Sequence, residues 1–206
     1  MCTSIGAAPA LCASSASRAA DAASAANIAF DKTMTTFEIP TITTARLQLR
    51  AFQASDLDAQ ANPDVMRYLI DRRTHTPVEV WRTMASNLGQ WPLRGCGMWA
   101  GVIADSGRFV GSIGIFQPLD WPEPELAYAL DQPFWGCGFA TEAATAARDW
   151  LFRRFPFFRL ASFIRPDNHA SIRVAQRLGA VCEGVATLRG STFQHWVHRR
   201  AGPAGG

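Results

Sequence analysis

Apolar and polar residues alternate along Arg46-Leu47-Gln48-Leu49-Arg50, which puts Leu47 and Leu49 on one side of an extended segment, as a strand with one buried face requires. Met98 to Ala104 and Phe109 to Phe116 are two apolar runs on either side of Asp105-Ser106-Gly107, a pattern that predicts a β-hairpin. Glu125 to Leu130 is the next strand. In Arg159 to Arg165, residues Leu160, Ser162 and Ile164 alternate with Ala161 and Phe163, again at the strand period. Val185 to Leu188 and Phe193 to Arg199, joined by Arg189-Gly190-Ser191, make a closing hairpin.

Between these strands the period changes. Ser55 to Ala61 predicts a short helix that Asn62-Pro63 interrupts before Asp64 to Ile70 resumes it. Thr76-Pro77-Val78-Glu79 is a capping box with proline at the first helical position, opening a helix to about Leu88. The segment Ala140 to Phe155 carries Ala143, Ala147 and Leu151 on one stripe, ends in Arg153 and Arg154, which complement the helix dipole, and is stopped by Pro156. A last helix opens at Asp167-Asn168 and closes with Gly179 just past its end. Antiparallel strands, one strand-helix-strand crossover and a final hairpin define an α+β domain rather than a doubly wound one. The expected organisation is an Ala/Ser-rich disordered extension over 1–40, the domain over 41–200 and a flexible tail over 201–206.

Composition narrows the picture. A chain of 206 residues has room for one domain with a proper core, and a formal charge of +3 is too small to indicate nucleic acid. The extension has no apolar stretch long enough to span a membrane. The five cysteines are odd in number, scattered and without a C-x-x-C pair, so neither a disulfide framework nor a zinc site is indicated, and a reducing cytoplasm fits. His195 and His198, three apart on a strand, fall on opposite faces and make poor metal ligands.

The stretch Trp135-Gly136-Cys137-Gly138-Phe139-Ala140-Thr141-Glu142 is the one with candidate chemistry. Gly136 and Gly138 can take positive φ and carry no Cβ, and the helix that follows exposes N–H groups without intrahelical partners, a combination suited to phosphate. There is no Gly-Lys-Ser/Thr of a P-loop, and Thr141 stands where a dinucleotide fingerprint wants its third glycine. On its own the loop reads first as an ordinary tight strand-to-helix turn. Cys137, at a helix N-terminus but with no histidine nearby in sequence, reads as a loop residue rather than a nucleophile.

Four stretches in order, Thr44 to Arg50, Phe109 to Gly114, Trp135 to Glu142 and Pro166 to Ser171, resemble the GNAT superfamily of acyl-CoA-dependent N-acetyltransferases, and within it the branch of the ribosomal-protein N-terminal acetyltransferases. The resemblance implies a mixed central sheet whose strand before the glycine loop splays from the strand after the helix, with acetyl-CoA as co-substrate. Backbone groups near Leu130 would hold its pantetheine arm, and N–H groups of Gly136, Cys137, Gly138, Phe139, Ala140 and Thr141 its pyrophosphate. Asn168 would cap its helix and also contact the arm. The chain departs from the family where the loop opens, with Pro133 in place of Arg or Gln.

For the acceptor's proton, Glu125 is the candidate base, standing at the start of the splayed strand; it could equally be an exposed strand-end carboxylate. Glu123, between two prolines, is less favoured. The position of the family's usual acid, a tyrosine, is Ala175, so Ser171 is the candidate that protonates the leaving thiolate, against a plain helix-start contact or water. Freeing a lysine-like ε-amine at neutral pH costs about 4.6 kcal/mol and an α-amine roughly 1 kcal/mol, so a site with a single base favours an α-amine such as a protein N-terminus, with a small-molecule amine close behind. A non-catalytic acyl-CoA-binding module is the alternative of a different class. No nucleic acid or membrane partner is expected, and the chain is a monomer or a homodimer.

Overall fold

The computed structural model describes residues 37–57, 75–155 and 159–200. The N-terminal extension up to residue 36, the helix expected over Asp64 to Ile70, the later part of the one expected from Ser55, and the tail 201–206 lie outside the described residues. The strands are β1 (Ile42–Thr43), β2 (Leu47–Arg50), β3 (Met98–Ile103), β4 (Phe109–Phe116), β5 (Glu125–Leu130), β6 (Leu160–Ile164), β7 (Val181–Leu188) and β8 (Ser191–His198); the helices are α1 (Pro77–Arg94), α2 (Phe139–Arg154) and α3 (His169–Arg177). They form one sheet in the order β1-β2-β3-β4-β5-β6-β8-β7, an α+β architecture. Among the described residues no helix is long and apolar enough to cross a membrane.

Two elements clearly outrun their expected bounds, and β8 starts slightly early, at Ser191. Helix α1 starts on the expected box, with Thr76 accepting from the Glu79 N–H, but continues past Gly89 and Pro92 to Arg94. Burial of Trp91 supplies the reason: its indole donates to the Met98 carbonyl at 3.0 Å and meets Trp99 edge-on at 4.6 Å, so the last turn is held by packing rather than propensity. Gly95, at φ 74°, then ends the helix in the left-handed conformation. Strand β7 begins at Val181 rather than Val185. It is an edge strand with almost every side chain exposed and a register shift between Cys182 and Gly184, so no hydrophobic alternation marks its start.

Side chains on the two faces of the sheet have different covers. Leu47, Leu49, Trp99, Ile113, Ile115 and Leu126 are buried against Ala143, Ala147 and Leu151 of α2, whose small alanines let the helix lie close to the strands. On the opposite face Met84 of α1 packs on Met98, Ala100 and Phe52, and a separate cluster gathers Trp121, Ala161, Phe163, Leu188 and Phe193.

Every neighbouring pair in the sheet is antiparallel except β5 with β6. That parallel pair joins at one register position, Glu125 with Ala161, where the Ala161 N–H donates to the Pro124 carbonyl at 3.0 Å. One residue further, the tie is made by a side chain: Ser162 Oγ donates to the Leu126 carbonyl at 2.7 Å. With its proton used there, Ser162 Oγ accepts from His198 Nε2 at 2.9 Å. Burial pushes the His198 imidazole down to about 4, so this tie stays neutral at physiological pH. Beyond it the ladder between β5 and β6 stops.

Gly111 of β4 sits opposite Leu130 with φ 151°, and a Cβ there would lie 2.2 Å from the Ala129 carbonyl oxygen. Gly111→Ala is therefore expected to cost about 3 kcal/mol, measured as a fall in the thermal midpoint of roughly 6–12 °C.

Candidate active site

The ends of β5 and β6 that diverge lie on the side from which α2 and α3 begin. After Leu130 the chain makes a short 3-10 turn, Gln132–Phe134, with Phe134 buried and Pro133 inside its first turn, where a missing N–H is harmless. The departure from the family pattern at Pro133 thus alters the entry to the loop and leaves its glycines in place. Gly136 and Gly138 adopt φ 76° and 80°. No acceptor among the described residues takes the N–H groups of Gly136, Cys137, Gly138, Phe139, Ala140 or Thr141, and the helix cap, Gly138, has no side chain to offer. The Thr141 hydroxyl is buried there without a partner. A row of converging amides, a dipole and an orphaned hydroxyl fit the diphosphate of a coenzyme A thioester.

A clamp fixes this loop from the far edge of the sheet. Glu142, in the first turn of α2, accepts from Thr44 Oγ1 at 2.6 Å, from the Arg46 N–H at 2.9 Å and from Arg46 Nε at 2.7 Å. Arg46 also donates to the Cys137 carbonyl at 3.0 Å and lies 4.5 Å from the centre of the Phe139 ring. Burial alone would raise the Glu142 carboxyl, but the bonds from Thr44 and Arg46 and the guanidinium charge outweigh it and leave the group below its ordinary value. The exposed Cys137 thiol only faces the Trp135 carbonyl at 3.7 Å.

Glu125 stands where β5 and β6 join. The residue is half-buried, with its carboxyl turned toward the apolar cluster: Trp121 Nε1 donates to Oε2 at 2.7 Å and the Phe163 N–H to Oε1 at 3.3 Å. Desolvation outweighs both bonds and pushes its pKa up to about 8. Along β5, the Pro124 and Leu126 carbonyls point to β6, and the Leu130 carbonyl accepts from the Trp135 indole at 2.6 Å. Leu130 therefore keeps only its N–H for a ligand, and by the same alternation the main chain of Tyr128 faces the open gap.

At the other lip, Asn168 Oδ1 accepts from the Ser171 N–H at 3.1 Å, the expected cap of α3. The Ser171 hydroxyl makes no hydrogen bond to a described residue, while its carbonyl accepts from the Tyr128 phenol at 3.0 Å. Ala175 is fully buried beside Ile164, Ala180 and Trp196, so the position of the family's usual acid points into the core. Neither Tyr128 nor the clamp was visible in the sequence. Tyr128 sits in an ordinary strand pattern, and nothing in spacing links Thr44 and Arg46 to a carboxylate almost a hundred residues away.

Residues 46–181 match the family model described as an acetyltransferase (GNAT) domain. The chain belongs to the GNAT acetyltransferase family. A Bacillus subtilis relative, the uncharacterized protein YkkB, is 31% identical over 147 residues, covering 67% of this chain and 83% of its own. The crystal structure of an acetyltransferase from Agrobacterium tumefaciens superposes with a TM-score of 0.69 at 30% identity, over 80% of this chain and 97% of that one. RimL, a ribosomal L7/L12 alpha-N-protein acetyltransferase solved in complex with coenzyme A, shares the fold at a TM-score of 0.63 and 22% identity, over 77% of this chain and 97% of its own. Within the GNAT frame, the open strand pair and the glycine loop sit where the resemblance in sequence implied.

The clamp sets a stability expectation with a sign. Because the Glu142 carboxyl is held below its ordinary value of 4.5, its stabilisation is present above about pH 4.5 and is lost as pH falls through the lower, folded value. Glu142→Gln should lower the unfolding free energy at pH 7 by about 1–2 kcal/mol, with Arg46 discounted because it is half exposed. Urea melts should show that deficit shrinking toward zero in strong acid.

Proposed function

We propose that this GNAT protein is an acetyl-CoA-dependent N-acetyltransferase whose acceptor is an α-amine, such as a protein N-terminus, attacking the thioester directly. The observation that carries the reading is the β5–β6 pair, in ladder register at Glu125 and Ala161 alone and opening toward a row of amides that no described residue takes. In this reading the N–H groups of Gly136 to Thr141 hold the diphosphate, and the pantetheine arm lies in the gap between Tyr128 and Asn168. The co-substrate supplies an acetyl group activated as a thioester. The Tyr128 N–H polarises the thioester carbonyl and stabilises the oxyanion. Glu125 takes one proton of the attacking amine, and the Ser171 hydroxyl gives its proton to the departing thiolate while taking the second proton of the amine nitrogen in its place.

Matching of proton affinities favours the α-amine. An α-ammonium, with a pKa of about 7.7–8.0, exchanges its proton almost evenly with a carboxyl near 8, whereas an ε-ammonium near 10.4 leaves the transfer uphill by about 3.3 kcal/mol. RimL, which shares the fold, is an alpha-N-protein acetyltransferase, and its acceptor class agrees with that choice.

A mass-spectrometric assay with acetyl-CoA and two peptide sets, one with a free α-amine and one α-blocked with an internal lysine, tests the reading. Acetylation of the first set is expected; acetylation of lysine alone would sink it. Since Glu125 works only when ionised, kcat/KM should rise as pH increases through about 8. Glu125→Gln should lower kcat/KM by roughly 10²–10³-fold and leave only the part of that rise that comes from the acceptor's own α-amine, with coenzyme A affinity unchanged by calorimetry.

A further inference from the structure

Acetylating an amine that arrives protonated releases one net proton, because the ammonium gives up two and the leaving thiolate retains one. The carboxyl that receives the other is hemmed in by Trp121 and Phe163, so the proton needs a way out before the next turnover. On the same face of the sheet lies an ionic cluster with no part in the steps above. Glu123 Oε2 accepts from Arg159 Nε at 2.7 Å, and Glu123 Oε1 meets His195 Nε2 at 2.5 Å. An ion-paired carboxylate only accepts hydrogen bonds, so Nε2 carries a proton, and whenever the ring holds a single proton its lone pair lies on Nδ1. No described residue bonds to that nitrogen, and the side chain keeps 18% exposure.

The ring is placed by packing. His195 and Phe163 are register partners on β8 and β6, and their rings stack 5.2 Å apart with planes 10° from parallel. The N–H of the same Phe163 is the one that donates to Glu125. Carboxyl and imidazole therefore flank one aromatic residue, the carboxyl at the closed end of the strand pair and the imidazole one strand further along the sheet. The charged groups around His195 are Glu123 from the loop before β5, Arg159 before β6, Glu183 of β7 through Arg159, and Glu125 of β5.

We propose that His195, oriented by Glu123 and Arg159, is the proton exit of the site: its Nδ1 takes, through water, the proton that Glu125 has removed from the acceptor amine and hands it to solvent. One amide C–N bond forms and one thioester C–S bond breaks for each proton exported, and nothing is oxidised or reduced. His195 acts through Glu125 and is a positioning and relay residue rather than one that touches the acyl group. This inference rests on the transferase reading above.

Two measurements on the full chain test it. Long-range proton–nitrogen NMR on histidine-labelled protein should find His195 with Nε2 protonated and Nδ1 bare; the opposite tautomer overturns the relay without reference to activity. In steady-state assays with acetyl-CoA and an α-amine peptide, His195→Ala and Glu123→Gln should each lower kcat at least about tenfold while KM for acetyl-CoA stays put. Added imidazole should restore the rate of His195→Ala in a saturable manner. If His195→Ala turns over like the wild type, or its loss is indifferent to imidazole, the relay is wrong and the transferase reading stands. A wild type inert toward every amine, yet able to bind coenzyme A, overturns the transferase reading and the relay with it.

Discussion

A parallel strand pair that stops pairing after one register position is the constraint on which everything else depends. Main-chain donors and acceptors that face a neighbouring strand normally find it, and leaving them unmatched in a protein interior costs free energy. Here the chain contains the break by closing its near end with side chains. Ser162 reaches the Leu126 carbonyl, His198 backs Ser162, and the Tyr128 phenol spans from β5 to the first turn of α3. The opening is thus bounded by polar struts of fixed length rather than by loose packing.

The second constraint is that one helix start must stay uncapped. Helices usually satisfy their first amides with a Ser, Thr, Asn or Asp side chain, as α1 does with Thr76 and α3 with Asn168. Helix α2 instead begins at Gly138 and leaves its first amides bare. Stability forgone at that terminus is offset by the alanine stripe packed on the sheet and by Glu142 binding the turn that leads into β2. The glycine loop therefore belongs to a helix packed closely on the sheet, which makes it rigid for a connection.

How much of this was legible in the sequence depends on the range of the interaction. Strands with a buried face, the Thr76 box, the Asn168 cap and the glycine loop are local features, and each appears where its residues predict it. The Val181 end of β7 was hidden because an exposed edge strand has no apolar period, and the last turn of α1 because Trp91 overrides Gly89 and Pro92. Glu125 could be named from its place at a strand start, but its environment could not: the indole that bonds it comes from a loop, and the amide from a strand beyond α2. Glu123 and His195 looked unpromising as isolated residues, a proline-flanked acid and a lone imidazole, and gain their chemistry only by meeting across 72 positions of chain.

An acidic side chain in the first turn beneath a row of unpartnered amides would ordinarily repel the anion that such amides attract. Glu142 occupies that place, yet Arg46 lies alongside it and against the Phe139 ring, so the negative charge is matched sideways within a few ångströms. The electric potential above the loop is consequently governed by the bare amides, the charge of the acid being cancelled beside them. Local electroneutrality is supplied by the turn between β1 and β2, and the tolerance of this surface for anions is inherited from a residue that precedes it by some ninety positions.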